Sequence, residues 1–136
     1  ACLVGSEMCI RDRAGLNDAD VNRVILVSGR LYYDLIARRE KKNANRTAIV
    51  RVEQLYPLPL EEIKEQLSRY PEAEVLWAQD EPANQGQWPY LTTSLLPLLD
   101  RDIRLVSRAA SASPATGTGK RHQAELEHLV QQAVEQ

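Results

Sequence analysis

Four short apolar runs, each followed by a stretch of helical period, constrain this chain more than any other feature. Arg23 to Ser28 (RVILVS), Thr47 to Val52 (TAIVRV), Glu74 to Gln79 (EVLWAQ) and Asp102 to Ser107 (DIRLVS) are rich in branched and aromatic residues. Runs of this length with little alternation suit strands buried on both faces. The intervening segments change period. Leu31, Tyr32, Leu35, Ile36 and Arg39 fall on one helical face, with Arg38 to Lys42 expected as a basic outer face. Leu60, Ile63 and Leu67 mark a second helix, opened by Glu61 and Glu62 where the helix dipole favours anions. Trp88, Leu91, Leu95 and Leu98 mark a third; Pro89 is tolerable in its first turn, and Pro97 is expected to kink or end it. The last helix is expected over Thr118 to Val134, with Leu126, Leu129, Val130 and Ala133 as its core stripe. Strand alternating with helix predicts an α/β fold of three layers, α/β/α, around a mainly parallel sheet.

The 136 residues suffice for one domain, and the net charge of −2 excludes a general nucleic-acid binder, whose affinity rests on neutralising phosphates. No apolar run approaches the roughly 18 residues that a bilayer requires. A soluble protein with no membrane or nucleic-acid partner is expected.

Ala1 to Arg13 (ACLVGSEMCIRDR) stands apart, having neither helical nor strand period and holding Cys2, Met8 and Cys9, all the cysteine and methionine of the chain. It resembles translated sequencing-adapter sequence. The expected organisation is therefore a foreign leader over 1–13, a linker remnant over 14–21 and one domain over 22–136. On this reading neither cysteine carries function, and no disulfide or cysteine metal site is expected.

Val75 to Trp88 (VLWAQDEPANQGQW) carries the most distinctive chemistry. A buried strand gives way to Gln79, Asp80, Glu81, Asn84 and Gln85 around Pro82 and Gly86, just ahead of a helix. In an open α/β sheet, ligands gather at the carboxyl ends of the strands. A solvated turn that uses Asn, Pro and Gly for backbone geometry explains the same residues equally well.

Three constellations of residues have the composition to carry chemistry. Arg51 and Glu53 lie two apart at the end of a strand, so both point to one face of the rim. An arginine there forks onto phosphate or carboxylate, and a structural ion pair is the simpler alternative. The segment SRAASASPATGTGKR (Ser107 to Arg121) has glycines, hydroxyls and Lys120 ahead of a helix. It is no Walker loop, since Gly117 and Gly119 are too close and Arg121 stands where Ser or Thr would bind magnesium. Lys120, Arg121 and His122 nonetheless occupy a first turn, where cations are disfavoured, which points to an anion or acidic surface nearby; charges snorkelling outward explain them as well. His122 and His128 are six apart, on different helix faces, and do not chelate one metal. No catalytic set and no metal site is expected.

Taken together, SGRLYYDL (Ser28 to Leu35), AIVRVEQLYPLP (Ala48 to Pro59), QDEPANQGQW (Gln79 to Trp88) and SASPATG (Ser111 to Gly117) followed by His122 resemble one known domain. It is the carboxyl-terminal, transketolase-C-like domain of the thiamine-dependent decarboxylase component of 2-oxoglutarate dehydrogenase. The wording YPEAEVLWAQDEPANQGQWP is closest to the actinobacterial branch, which includes multifunctional 2-oxoglutarate enzymes. The resemblance covers essentially everything after Asp20.

It implies a bacterial cytoplasmic parent that decarboxylates 2-oxoglutarate in the citric acid cycle on thiamine diphosphate with magnesium. The parent then passes the succinyl group towards dihydrolipoyl succinyltransferase. Upstream domains hold the cofactor in that family, and the GDG thiamine motif is missing here, so this fragment is expected to bind no cofactor and to be non-catalytic. The domain packs within a homodimer, and in some relatives it contributes to a regulatory site for acetyl-CoA or AMP. Arg51, Glu53, Asp80, Glu81 and Lys120 are the implied effector-site candidates. Asn84, Gln85, Gly86, Trp88, Ser111, Ser113 and His122 are the structural or interface candidates. The family sheet also includes an antiparallel strand from ahead of Asn22, and here that sequence is expected to be replaced by the foreign leader. Two alternatives stand beside this reading: an independent α/β module binding an anion or nucleotide between the strands over 47–52 and 74–79, and the equivalent domain of a pyruvate-specific enzyme or transketolase. The QDEPANQGQW and SASPATG wording argues against the latter.

Overall fold

A computed structural model describes residues 9–11, 18–44, 46–53, 58–112 and 118–135. Its elements run β1 (Cys9–Arg11), β2 (Arg23–Val27), α1 (Leu31–Lys41), β3 (Thr47–Val52), α2 (Leu60–Ser68), β4 (Glu74–Pro82), α3 (Trp88–Ser94), β5 (Ile103–Arg108) and α4 (Gly119–Glu135). The strands form one sheet in the order β1-β3-β2-β4-β5. The pairs β2–β3, β2–β4 and β4–β5 are parallel, and β1 joins β3 antiparallel. The chain steps from β2 out to β3, then crosses back past β2 to β4 and β5. Its direction across the sheet thus reverses between β2 and β4, the place where such sheets open a crevice at the carboxyl rim.

Successive strand residues face opposite sides, and each side is closed by two helices. Val24, Leu26, Ala48, Val50, Val52, Val75 and Trp77 pack with Ile63 and Leu67 of α2 and Leu91 and Leu95 of α3. Ile25, Val27, Ile49, Leu76, Ala78 and Val106 pack with Leu31 and Leu35 of α1 and Leu129, Val130, Ala133 and Val134 of α4. This is the expected three-layer arrangement. Trp77 anchors the first layer at 1% exposure, so truncation to alanine costs about 3–5 kcal/mol. Gly29 turns the chain from β2 into α1 at φ 75°, and Asn43 closes the turn after α1 at φ 51°, a conformation that asparagine tolerates better than most residues.

Several expectations need correction. The basic run after Leu35 forms an outer face only in part: Lys41 and Lys42 are exposed, but Arg39 is only 4% exposed. Its guanidinium lies under the sheet edge and donates to the Thr47 carbonyl, while burial lowers its pKa. Arg38 turns towards α4 and pairs with Glu127 at 2.6 Å. The third helix ends at Ser94, and Leu96–Leu98 forms a 3₁₀ turn around Pro97. Tightening the turn rotates Leu98 off the apolar stripe, leaving it 55% exposed. β4 runs on through Asp80 and Glu81 to Pro82, with a register irregularity against β5 between Ala78 and Pro82. Apart from these corrections, Cys9–Arg11, within the segment expected to be foreign, pairs with Val50–Val52. Edge pairing uses main-chain groups that every non-proline residue carries, so it needs no strand period in the side chains.

Candidate functional site

The carboxyl rim carries two polar clusters, separated by β2. The first surrounds Arg51 near the end of β3. Val50 and Val52 point into the layer closed by α2 and α3, so Arg51 and Glu53 emerge on the opposite side, beside the start of α1. Arg51 Nη1 donates to the Tyr33 hydroxyl at 3.0 Å. Its guanidinium carbon lies 5.0 Å from the Tyr32 ring centre and 5.9 Å from that of Tyr33. The two rings meet edge to face at 5.3 Å. Arg51 Nε lies 3.0 Å from Glu53 Oε1, close enough for charge attraction but off the line of a hydrogen bond. The arginine side chain is 21% exposed and the glutamate 36%. Burial raises the Tyr32 pKa above its ordinary value; Arg51 opposes the rise and Tyr33 adds to it. The result is a cation held in a fixed pose between two aromatic rings and a carboxylate, with Tyr33 62% exposed at the surface.

The second cluster is the turn that follows β4, organised by Gln79, which is 3% exposed. Its Oε1 accepts from Trp77 Nε1 at 3.1 Å and from the Trp88 amide at 3.0 Å. Its Nε2 donates to the carbonyls of Glu81, Pro82 and Gln85 at 3.2, 2.9 and 2.8 Å. One amide side chain thus ties strand, turn and helix start together. Beyond it, Asn84 Nδ2 and Gln85 Nε2 donate to the Ser111 carbonyl at 2.9 and 2.7 Å, and the Ser111 amide donates back to Asn84 Oδ1 at 3.0 Å. Gly86 adopts φ 67°, and a Cβ there would stand 2.9 Å from Glu81 Cβ. These side chains serve the backbone geometry of the turn, the simpler of the two readings of this stretch.

Asp80 faces α4 across a chain of alternating charge. Its carboxylate lies 3.7 Å from Arg108 Nε and 3.8 Å from His122 Nε2. Arg108 Nη1 lies 3.7 Å from Glu125, which Arg121 reaches at 3.2 Å. The anions anticipated around the basic first turn of α4 are therefore Asp80 and Glu125. Thr118 Oγ1 caps that turn by accepting from the Arg121 amide at 3.2 Å. Lys120 is exposed on the same turn. Ser113 lies outside the described residues.

Arg51 is grouped with Asp80 and Glu81 among the implied effector-site candidates, and the strand order does not bring them together. β2 lies between β3 and β4, which separates the two strands by about 10 Å. The anion site imagined between them is correspondingly divided. Tyr32, Tyr33, Arg108 and Glu125 were not singled out from sequence. A tyrosine pair beginning three residues beyond the turning Gly29 was the available signal for the first two; nothing in the periodicity singles out Arg108 or Glu125.

A doubly wound α/β domain whose rim is consumed by its own hydrogen bonds, with an aromatic-clamped arginine at one edge, is the class these features define. The chain belongs to the 2-oxoglutarate dehydrogenase C-terminal family, matching its description over residues 7–134. It is 47% identical over 129 residues to the 2-oxoglutarate dehydrogenase E1/E2 component of Corynebacterium glutamicum, covering 93% of this chain and 11% of that protein. It is 41% identical over 130 residues to the E1 component of Cupriavidus necator, covering 93% and 14%. The E1 component of Brucella anthropi is 42% identical over 123 residues, covering 86% and 12%. The chain thus spans a small part of the length of each. Among the described residues, no helix is long and apolar enough to cross a membrane.

Proposed function

We propose that this chain is the carboxyl-terminal part of a 2-oxoglutarate dehydrogenase, and that it serves dimer assembly and effector control of a reaction carried out elsewhere in the polypeptide. The parent activity is supported by the family match and by relatives 41–47% identical that carry that name. Oxidative decarboxylation of 2-oxoglutarate, delivery to a dihydrolipoyl succinyltransferase partner and a bacterial cytoplasmic setting belong to this proposal. Thiamine diphosphate and magnesium are assigned to the upstream domains. Among the described residues no three His, Cys, Asp or Glu side chains converge as a metal ion requires. Asp80 and Glu125 both face Arg108. The described residues of this chain do not fit the parent's metal.

The observation that carries the regulatory part is the pose of Arg51. A guanidinium fixed by Tyr32, Tyr33 and Glu53 on a rigid strand end is preorganised for an incoming phosphate, of the kind acetyl-CoA or AMP presents. Its present partners are a neutral hydroxyl and a partly exposed carboxylate, and a phosphate forms stronger charge-assisted bonds than a hydroxyl does.

The assignment of catalysis to the rest of the parent is tested by assaying this chain with 2-oxoglutarate, thiamine diphosphate, magnesium and an artificial electron acceptor, beside a full-length relative. Turnover is expected only from the full-length enzyme. Turnover by this chain alone overturns the assignment.

A further inference from the structure

Tyr33 stands 62% exposed near the start of α1, yet its hydroxyl is held in place, accepting from Arg51 Nη1 at 3.0 Å. We propose that Tyr33 is a specificity-determining residue of the effector site, whose hydroxyl favours a phosphomonoester over a carboxylate, an assignment that rests on the effector role of Arg51 and names the chemistry that the site selects.

The donors around Arg51 carry the assignment. A guanidinium has five N–H donors and a phenol has one O–H. Arg51 Nε is buried, with Glu53 Oε1 at 3.0 Å, so that side of the group is closed to a ligand. Nη1 spends one of its two N–H groups on Tyr33. Among the described residues, no acceptor takes a hydrogen from Nη2, and none takes the proton of the Tyr33 hydroxyl. A hydroxyl that accepts from a cation is polarised towards donating its own proton. Its position is fixed by the bond to Arg51 and by the edge-to-face contact of the Tyr33 ring with Tyr32 at 5.3 Å. An arriving anion therefore meets the remaining guanidinium donors and the hydroxyl together, and has no need to displace the latter.

That arrangement separates two kinds of anion. A carboxylate has two oxygens, and two guanidinium N–H groups satisfy both. A phosphomonoester has three terminal acceptor oxygens, so one is left over for a further donor beside the guanidinium. The Tyr33 hydroxyl is the donor in that position. Tyr32 has a different part, since its ring lies under the guanidinium carbon at 5.0 Å and is only partly exposed. AMP and acetyl-CoA both carry a phosphomonoester.

The test is a titration of the 136-residue chain at neutral pH with inorganic phosphate, AMP and acetyl-CoA, and with acetate as the two-oxygen control, followed by the Arg51 side-chain N–H and aromatic ring-proton signals. Phosphate is expected to bind more tightly than acetate. Tyr33→Phe keeps the ring and removes only the hydroxyl, at a position 62% exposed, so the fold is retained. It should weaken phosphate, and the nucleotide that binds, by about three- to tenfold while leaving acetate unchanged, the scale of a hydrogen bond to a charged group reduced by exposure. Arg51→Ala should weaken every probe. If Arg51→Ala weakens every probe but Tyr33→Phe leaves phosphate unmoved, or weakens acetate as much, the selectivity assigned to Tyr33 is overturned while the Arg51 site stands. Binding indifferent to Arg51→Ala, or no saturable shift with any phosphate, overturns the site itself and the role of Tyr33 with it.

Discussion

Asn84 and the backbone of Ser111 hold each other reciprocally: Nδ2 donates to the Ser111 carbonyl at 2.9 Å, and the Ser111 amide donates to Oδ1 at 3.0 Å. The turn after β4 is thereby fastened to the segment after β5, 27 residues further on. Replacing Asn84 with alanine removes both bonds while leaving Gln85 on the same carbonyl. The expected loss is about 1–2 kcal/mol, two net hydrogen bonds at a partly solvated site. Urea denaturation checks it: the midpoint should fall with an unchanged slope. An unmoved midpoint shows that water replaces the pair at no cost.

Gly86 is required by two separate effects, which substitution distinguishes. Gly86→Ala must accept φ 67° and a contact of 2.9 Å with Glu81 Cβ. The left-handed conformation costs about 1–2 kcal/mol for a residue with a Cβ, and the crowding adds to it. Because the nearest atom is a Cβ close to the backbone, Glu81→Ala should rescue little, whereas Glu81→Gly in the double variant should recover the crowding part. Thermal melts of the single and double variants test this; full rescue by Glu81→Ala would show that only the carboxylate end is in the way.

Tyr32 gives a pH dependence with a definite sign. Its folded-state pKa is raised, chiefly by burial, above the ordinary value of 10.0. A raised pKa contributes stability that is fully present below the unfolded value and is lost as pH rises through the folded one. Stability should therefore decline from about pH 10 upward, and Tyr32→Phe should flatten that part of the decline. Phenolate absorbance followed against pH, in wild type and variant, assigns the late-ionising group; an early ionisation of Tyr32 contradicts the burial.

Much of the fold was legible because its physical signal is local. RVILV, TAIV and VLWA announce strands by unbroken apolar runs, and Leu129, Val130 and Ala133 announce a helix by their spacing. What was illegible depends on lateral order. Nothing in the periodicity tells that β2 stands between β3 and β4, and that single fact parts Arg51 from Asp80. The burial of Arg39 was hidden for a similar reason, since a basic run reads as solvated until its packing against the start of β3 is known. The polar QDE of β4 ended the apolar signal before the strand itself ended. Gln79 was visible only as one polar residue among five, because its role lies in meeting three carbonyls that the turn brings together.

The most direct test of effector control is activation titrated with acetyl-CoA and with AMP in the full-length enzyme, wild type against the variant equivalent to Arg51→Ala. Basal turnover and melting temperature should hold, because Arg51 is a partly exposed rim residue whose ion pair with Glu53 contributes under about 1 kcal/mol. Half-activation by the effector that binds should shift to concentrations higher by about 10- to 100-fold, the loss of roughly 1.5–3 kcal/mol expected for a hydrogen bond to a charged group. Activation curves that superimpose for both effectors contradict the regulatory role of Arg51, and a collapse of basal turnover makes it a structural residue instead.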